Sequence, residues 1–278
     1  MTDPRSLLQA HGLHARKWLG QHFLVDPAMP ELIAVVGGAG KDDAVFEIGA
    51  GTGVLTRALA PRVGRLIALE HDRDLVPVLH TQLLGFPHVS VREGDIREVE
   101  WAGVASELGQ DPIIYGNIPY NLSSAIIIGL LESTHWRRAC FLLQKEFAER
   151  ITAPPGTRLC GTLSAGTALL TYATLEFLVP ASAFLPPPKV ESAVVVLERR
   201  PAPAEDVGDV ATFRQVVRAL FAQRRKMARG SLKPIFADTE RLLATAGIEG
   251  TRRGETFSLR ELATLSRTLK ALRQEARE

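Results

Sequence analysis

Ala44-Val45-Phe46-Glu47-Ile48-Gly49-Ala50-Gly51-Thr52-Gly53 is the stretch on which the fold turns. A short apolar run ends abruptly in a turn carrying three glycines, and a helix-compatible segment, Val54–Ala60, follows it. An apolar run of this length bounded by glycine reads as a strand buried on both faces, the kind found in parallel sheets. Glycines admit positive φ and let a ligand approach the backbone N–H groups closely. Strand, glycine turn and helix in that order form the opening unit of a doubly wound α/β sheet.

Outward from this unit the pattern alternates. Leu66–Leu69, Val89–Val91, Pro112–Tyr115 and Ala139–Leu143 read as further buried strands, with helices expected at Asp72–Leu84, Ser123–Glu132 and Lys145–Ile151. Asp26-Pro27 reads as the cap of an earlier helix that ends near Gly37-Gly38. The expected fold class is α/β, a Rossmann-like, mostly parallel sheet. The runs Leu175–Val179 and Val190–Leu197 have no helix between them and flank Phe184-Leu185-Pro186-Pro187-Pro188, so they predict an antiparallel hairpin at a sheet edge. Arg200–Asp209, rich in Pro, Ala and acids, reads as a linker, and the chain beyond it reads as wholly helical. Residues 5–25 carry Arg5, Arg16, Lys17 and three histidines but no acid. The expected organisation is a basic N-terminal arm over 1–25, an α/β domain over 26–200 and a small all-helical domain over 210–278.

The turn points to a nucleoside cofactor. Glu70 lies 21 residues past Gly49, at the end of the next strand, where a carboxylate can accept from both ribose hydroxyls. A dinucleotide turn would read Gly-x-Gly-x-x-Gly, but here the third glycine comes one residue early and Val occupies position 54. S-adenosylmethionine has no pyrophosphate to seat on the helix, so this spacing favours it over NAD. Asp95, after Gly94 at the following strand end, is placed to accept from the adenine amine.

Asn117-Ile118-Pro119-Tyr120 follows the fourth of these runs, at the strand end where ligands of such sheets bind. An adenine amine is a poor nucleophile because its lone pair is delocalised into the ring. Two acceptors aimed at the amine protons, the Asn117 side-chain carbonyl and the Ile118 backbone carbonyl, would localise that pair toward an incoming methyl group. Pro119 stiffens the turn, and Tyr120 offers a ring on which the base can stack.

With these residues in view, the chain resembles the ribosomal RNA small-subunit adenine dimethyltransferase family. The resemblance runs over nearly the whole length. It is carried further by Arg16-Lys17-Trp18-Leu19-Gly20-Gln21-His22-Phe23-Leu24, Gln144-Lys145-Glu146, Phe184-x-Pro186-Pro187-Pro188-Lys189-Val190-x-Ser192 and Phe221-x-Gln223-Arg224-Arg225-Lys226. It implies dimethylation of two adjacent adenosines in the 3′-terminal hairpin of small-subunit RNA by a class I methyltransferase domain. It also implies that His22 and Leu24 line the cofactor site with Gly49, Gly51, Glu70, Asp95 and Asn117, and that Phe184 faces the target base opposite Tyr120. His22 stands where the family has asparagine, Ala50 where it has proline and Ile118 where it has leucine; the last change keeps the backbone contribution.

Between Ala211 and Ala237 lie seven basic residues and no acid. Within them, Arg224, Arg225 and Lys226, with Lys189 from the earlier motif, are the expected RNA contacts, and a basic stripe on the helical domain would bind phosphates in a salt-dependent way. The acid-free arm would add a second basic flank. The chain-wide charge of only +2 makes that concentration more telling. The two cysteines, Cys140 and Cys160, cannot build a disulfide framework, no apolar run approaches membrane-spanning length, and no secretory signal is seen. A reducing cytoplasm is therefore expected, with a monomer and no metal, and the resemblance implies the small ribosomal subunit as partner. Three other readings remain open: a large-subunit adenine methyltransferase of the antibiotic-resistance type, an RNA-binding assembly factor with secondary catalysis, and a NAD-dependent dehydrogenase.

Overall fold

A computed structural model describes residues 3–276, with Lys17 described in its backbone alone; the outermost residues of the expected arm and helical domain lie outside it. The chain divides into two compact units. The first comprises the chain up to Ala148 together with Thr174–Arg199, the second Glu149–Ala173 together with Arg200 onward.

Nine strands occur among the described residues: β1 Phe23–Leu24, β2 Ala44–Ile48, β3 Arg65–Glu70, β4 Val89–Glu93, β5 Ile113–Asn117, β6 Arg138–Gln144, β7 Thr171–Val179, β8 Phe184–Leu185 and β9 Ser192–Arg199. Seven of them form one sheet in the order β4-β3-β2-β5-β6-β9-β7. The pairs β2–β3, β2–β5, β3–β4 and β5–β6 are parallel, β6–β9 is antiparallel, and β7 lies outside β9 at the edge. Every residue of β2 and all but the first of β3 are buried, as a sheet covered on both faces requires, whereas β4, at the edge, has no buried residue and departs from the expected burial of Val89–Val91. Strand order reverses between β2 and β5, so the carboxyl ends of these neighbours open a crevice at the switch point.

β5 continues two residues beyond the expected Pro112–Tyr115 run, because its ladder to β6 persists to Asn117↔Leu142. Gly116 makes that possible: a Cβ there would lie 2.9 Å from the Ile48 carbonyl of β2. The helix expected over Asp72–Leu84 spans only Val76–Leu83, since Asp72 closes a turn by accepting the Leu75 N–H at 2.9 Å. The N-terminal segment is not an arm. Asp3 caps a helix, Pro4–Ala10, whose Leu7 and Leu8 are buried, and Leu8 packs with Phe23 and Leu75. β1 then pairs antiparallel with β8. Charge drew the sequence reading here, and the apolar spacing of Leu7, Leu8 and Leu13 outweighed it.

The second unit is helical, with a core that includes Leu169, Phe213, Leu220, Phe257, Leu262 and Leu269. Asp209 caps its helix Val210–Ala222, and Ser258 with Glu261 forms a reciprocal capping box on Leu259–Glu275. The stretch read as a linker belongs to this unit rather than joining it: Val207 is buried in the core, and its carbonyl accepts from Ser266 Oγ at 2.7 Å. Helix Thr162–Leu170, which the sequence reading did not find, belongs here as well, so the second unit starts well before residue 200.

In the first unit, helix Ala28–Gly37 ends against the fully buried Tyr115, whose hydroxyl donates to the Ala34 carbonyl at 3.2 Å. A Cβ at Gly37 would lie 2.2 Å from that ring. Gly37→Ala should therefore cost about 1–3 kcal/mol of stability through overpacking; a wild-type urea midpoint in the variant would show that the ring can move aside.

Candidate active site

The glycine turn at the end of β2 needs the backbone freedom that glycine gives. Gly49, Gly51 and Gly53 have φ of 69°, 58° and 82°. The N–H groups of Gly49 and Ala50 donate to the Leu69 carbonyl at 2.9 and 3.1 Å, folding the turn onto the end of β3. There Glu70 is held from both sides: Oε2 accepts from the Gly51 N–H and Oε1 from the Asp72 N–H, each at 2.7 Å. Each carboxylate oxygen accepts more than one hydrogen bond, so acceptor capacity remains for a ligand. Burial raises the Glu70 pKa, against the pull of those two backbone bonds.

Beneath the turn lies a carboxyl to which the sequence reading gave no role. Glu47 is buried in β2, and its Oε2 has no partner among the described residues. Burial, with a further push from the Glu70 charge, raises its pKa to about 8.

These residues line a cavity of about 280 Å³. It brings together His22, Leu24, Gly49, Gly51, Glu70, Asp95, Asn117, Ile118, Pro119 and Tyr120, ten of the residues singled out from sequence. Asp95 does not stand free. Arg97 Nε contacts both of its oxygens at 3.0 Å, and Oδ1 also caps the Arg97 N–H at 2.9 Å. The Arg97 guanidinium holds the Asp95 pKa down at about 2. The i, i+2 spacing of Asp95 and Arg97 was the available signal for this pair.

Asn117 ends β5 with its side chain oriented. Nδ2 donates to the His22 carbonyl at 2.7 Å, which leaves Oδ1 as the acceptor not engaged by that bond. The Ile118 side chain is buried and its N–H donates to the Leu142 carbonyl at 3.2 Å, so its own carbonyl is the polar group it offers. The Pro119 carbonyl accepts the Leu122 N–H at 2.9 Å as the chain turns into helix Ser123–Glu132. Tyr120 is half-buried; its hydroxyl shares a 3.1 Å hydrogen bond with Ser192 Oγ, and one ring face lies against His22, with centroids 5.5 Å apart and planes 26° apart. His22 Nδ1 in turn donates to the Pro186 carbonyl at 2.7 Å.

Phe184 is buried in the first-unit core, where pairing of β8 with β1 sets it opposite Leu24, itself a residue of the cavity wall. The ring that stacks on Tyr120 in this structure is His22. The expected N-terminal basic flank is also reduced: the Arg16 guanidinium pairs with Asp72 at 2.6 Å and with Asp74. In the second unit Arg224, Arg225 and Lys226 are exposed, in the turn after helix Val210–Ala222 rather than on a helical stripe, and Arg224 Nη2 donates to the Cys160 carbonyl at 2.8 Å. Lys189 is exposed in the loop before β9 of the first unit. No group of three or more metal-ligating side chains occurs among the described residues.

Glu47 gives a pH test. Its folded pKa, about 8, exceeds the ordinary carboxyl value of 4.5, so the folded protein holds a proton that the unfolded chain releases between these values. Its contribution to stability is complete below the lower value and is lost as pH rises through the window. Glu47→Gln should therefore gain on the wild type between acidic and mildly alkaline buffer, read as thermal midpoints; parallel pH profiles of the two proteins would contradict this assignment.

Comparison with known proteins places this geometry. The sequence profile of the ribosomal RNA adenine dimethylases matches residues 12–270. Ribosomal RNA small subunit methyltransferase A of Anaeromyxobacter sp. strain K is 43% identical over 97% of this chain and all of its own length. The protein of that name from Myxococcus xanthus is 41% identical, covering 97% and 96%. The crystal structure of a dimethyladenosine transferase from Plasmodium falciparum matches with a TM-score of 0.75 at 23% identity, over 92% of this chain and 98% of that one. The 23S rRNA methyltransferase ErmE matches with a TM-score of 0.68 at 27% identity, over 89% and 99%. The chain belongs to the ribosomal RNA adenine dimethylase family.

Proposed function

We propose that the cavity binds S-adenosylmethionine and that the protein dimethylates two adjacent adenosines in the 3′-terminal hairpin of small-subunit ribosomal RNA, late in subunit assembly. The observation that carries this reading is the Asn117 side chain, held by its bond to the His22 carbonyl at the crevice beside the glycine turn. The residues present fit the cofactor. Glu70 is oriented by two backbone N–H groups and retains capacity for ribose hydroxyls, the positive-φ glycines keep the turn clear of side chains, and Asp95 is an ionised acceptor for an adenine amine. Accepting that amine requires Asp95 to share an oxygen with Arg97. When bound, the cofactor supplies the electrophilic methyl group.

The chain's own part is orientation. Asn117 Oδ1 and the Ile118 carbonyl accept from the two protons of the target amine and draw its lone pair out of conjugation. The base stacks on the Tyr120 face that His22 does not cover. No strong general base is needed, because the methylated amine is acidic enough to lose its proton to solvent. In the second unit, the exposed Arg224–Lys226 turn supplies phosphate contacts.

The relatives reported above, named for the small subunit, match at 41–43% identity, against 27% for the 23S enzyme, and this supports the small-subunit substrate. The protein would act as a monomer in the cytoplasm. No described helix is long and apolar enough to cross a membrane.

Label transfer from S-adenosylmethionine to small subunits lacking the modification, with large-subunit RNA in parallel, tests the reading once the RNA is digested to nucleosides. Dimethyladenosine from the small subunit alone is the expected result; label confined to large-subunit RNA would replace the substrate assignment. Asn117→Ala should lower kcat by roughly two to three orders of magnitude while cofactor affinity changes little, and a fully active variant would refute the acceptor mechanism. Glu70→Ala should weaken cofactor binding more than RNA binding, and equal losses in both would count against its ribose role. Charge reversal at Arg224 and Arg225 should weaken RNA binding and flatten its salt dependence, by roughly one unit of slope per lost phosphate contact. An unchanged slope would move the RNA surface elsewhere.

A further inference from the structure

We propose that Trp18 is a stacking platform for the nucleobase next to the adenosine being methylated. This deepens the reading above and rests on its RNA substrate.

Trp18 lines the mouth of the cavity and is 73% exposed. Of the other Phe and Tyr rings that line the cavity, Phe23 is buried and Tyr120 has one face against His22. A single exposed apolar residue on a protein surface needs no explanation by itself. Trp18 differs because the backbone that presents it is fixed on both sides while its ring is left outside. The Arg16 N–H donates to Gln21 Oε1 at 2.8 Å, closing a short loop around Trp18, and the Leu19 N–H donates to the Arg16 carbonyl at 3.0 Å. The Arg16 guanidinium and Gln21 Nε2 then both bind the buried Asp72 carboxylate, at 2.6 and 2.8 Å. Gly20 seats the loop against the catalytic turn: a Cβ there would lie 3.4 Å from Asn121 Oδ1 and 3.5 Å from Pro119 Cβ. Trp18 is thus an open aromatic ring on a preorganised loop, two residues from the point where that loop meets the Asn117–Tyr120 tetrapeptide.

The chemistry of the reaction supplies the occupant. Reaching an adenine amine requires the base to leave its stack, at a cost of a few kcal/mol, and this uncovers a face of its neighbour. An indole ring held at the mouth replaces the lost stacking for that neighbour, and does so for any base because every base has a π face. In a substrate with two adjacent adenosines, one occupies the cavity while the other rests on Trp18. Because the loop is already fixed, little ordering cost opposes the contact.

The test is steady-state methylation of a short hairpin RNA carrying two adjacent adenosines, with cofactor affinity measured separately by calorimetry. Trp18→Ala should raise KM for the RNA roughly five- to a hundredfold, the range of one lost base–aromatic stack, and leave cofactor Kd within about twofold; Trp18→Phe should recover most of the loss. A second readout does not depend on activity. The hairpin should quench tryptophan emission in the wild type and not in Trp18→Phe, which keeps Trp101 and Trp136. An unchanged KM in Trp18→Ala, or quenching that survives in Trp18→Phe, overturns the proposal while leaving the parent reading intact. A loss of cofactor affinity as large as the loss in RNA KM would make Trp18 part of the cofactor wall and overturn it too. Failure of the wild type to methylate any ribosomal RNA would bring down the parent reading, and this proposal with it.

Discussion

The candidate active site depends on the parallel pairing of β2 with β5. Their register places Ile48 opposite Gly116, so the glycine turn and the Asn117 tetrapeptide leave the sheet side by side. The approach is close enough that only glycine fits at 116 without displacing the Ile48 carbonyl. A side chain there would separate the two strand ends, and with them the glycine turn from the Asn117 tetrapeptide. The switch in strand order at this same pair keeps the crevice free of a crossover helix, which is why the site forms here and not at another strand end.

Around that pair the structure uses buried carboxylates as fixed points. Glu70 takes one backbone N–H from the glycine turn and one from Asp72, and the Asp72 side chain then anchors Gln21 and Arg16 of the N-terminal segment. One continuous set of hydrogen bonds therefore runs from Glu70 to the loop that walls the cavity. Removing a partner from such a buried network leaves a desolvated charge behind, a larger penalty than the loss of one contact. Glu47 lies outside the network and bears the consequence of burial without a counter-charge in its raised pKa.

Much of this was legible before the fold was known, and the parts that were not share a cause. The alternation of apolar runs with helical stretches located β2 to β6, because strands buried on both faces, as β2, β3, β5 and β6 are along most of their length, leave a continuous apolar signal. Glycine spacing, with acids at successive strand ends, picked out residues that the fold gathers around one cavity, since each requirement is local to one turn. The burial of Phe184 was not legible, because it is set by pairing with β1, a contact with residues more than a hundred and fifty positions away. Arg16 was read as a free cation for the same reason: its partners Asp72 and Asp74 lie far along the chain. The linker over Arg200–Asp209 was misread on composition, since its docking rests on the buried Val207 and on backbone hydrogen bonds to Leu169, Leu170 and Ser266 that composition does not show. Local chemistry writes itself into short strings, whereas side-chain direction and partnership across the fold do not.

The central claim is that Asn117 and Ile118 present two acceptors to the amine of an adenine held in the cavity. Its most direct test is a crystal structure of the protein with the hairpin RNA and the demethylated cofactor. The account predicts the target N6 about 3 Å from both Asn117 Oδ1 and the Ile118 carbonyl, with Asn117 Nδ2 still on the His22 carbonyl. An amine turned away from both oxygens, or Asn117 rotated to point its Nδ2 at the base, would contradict it.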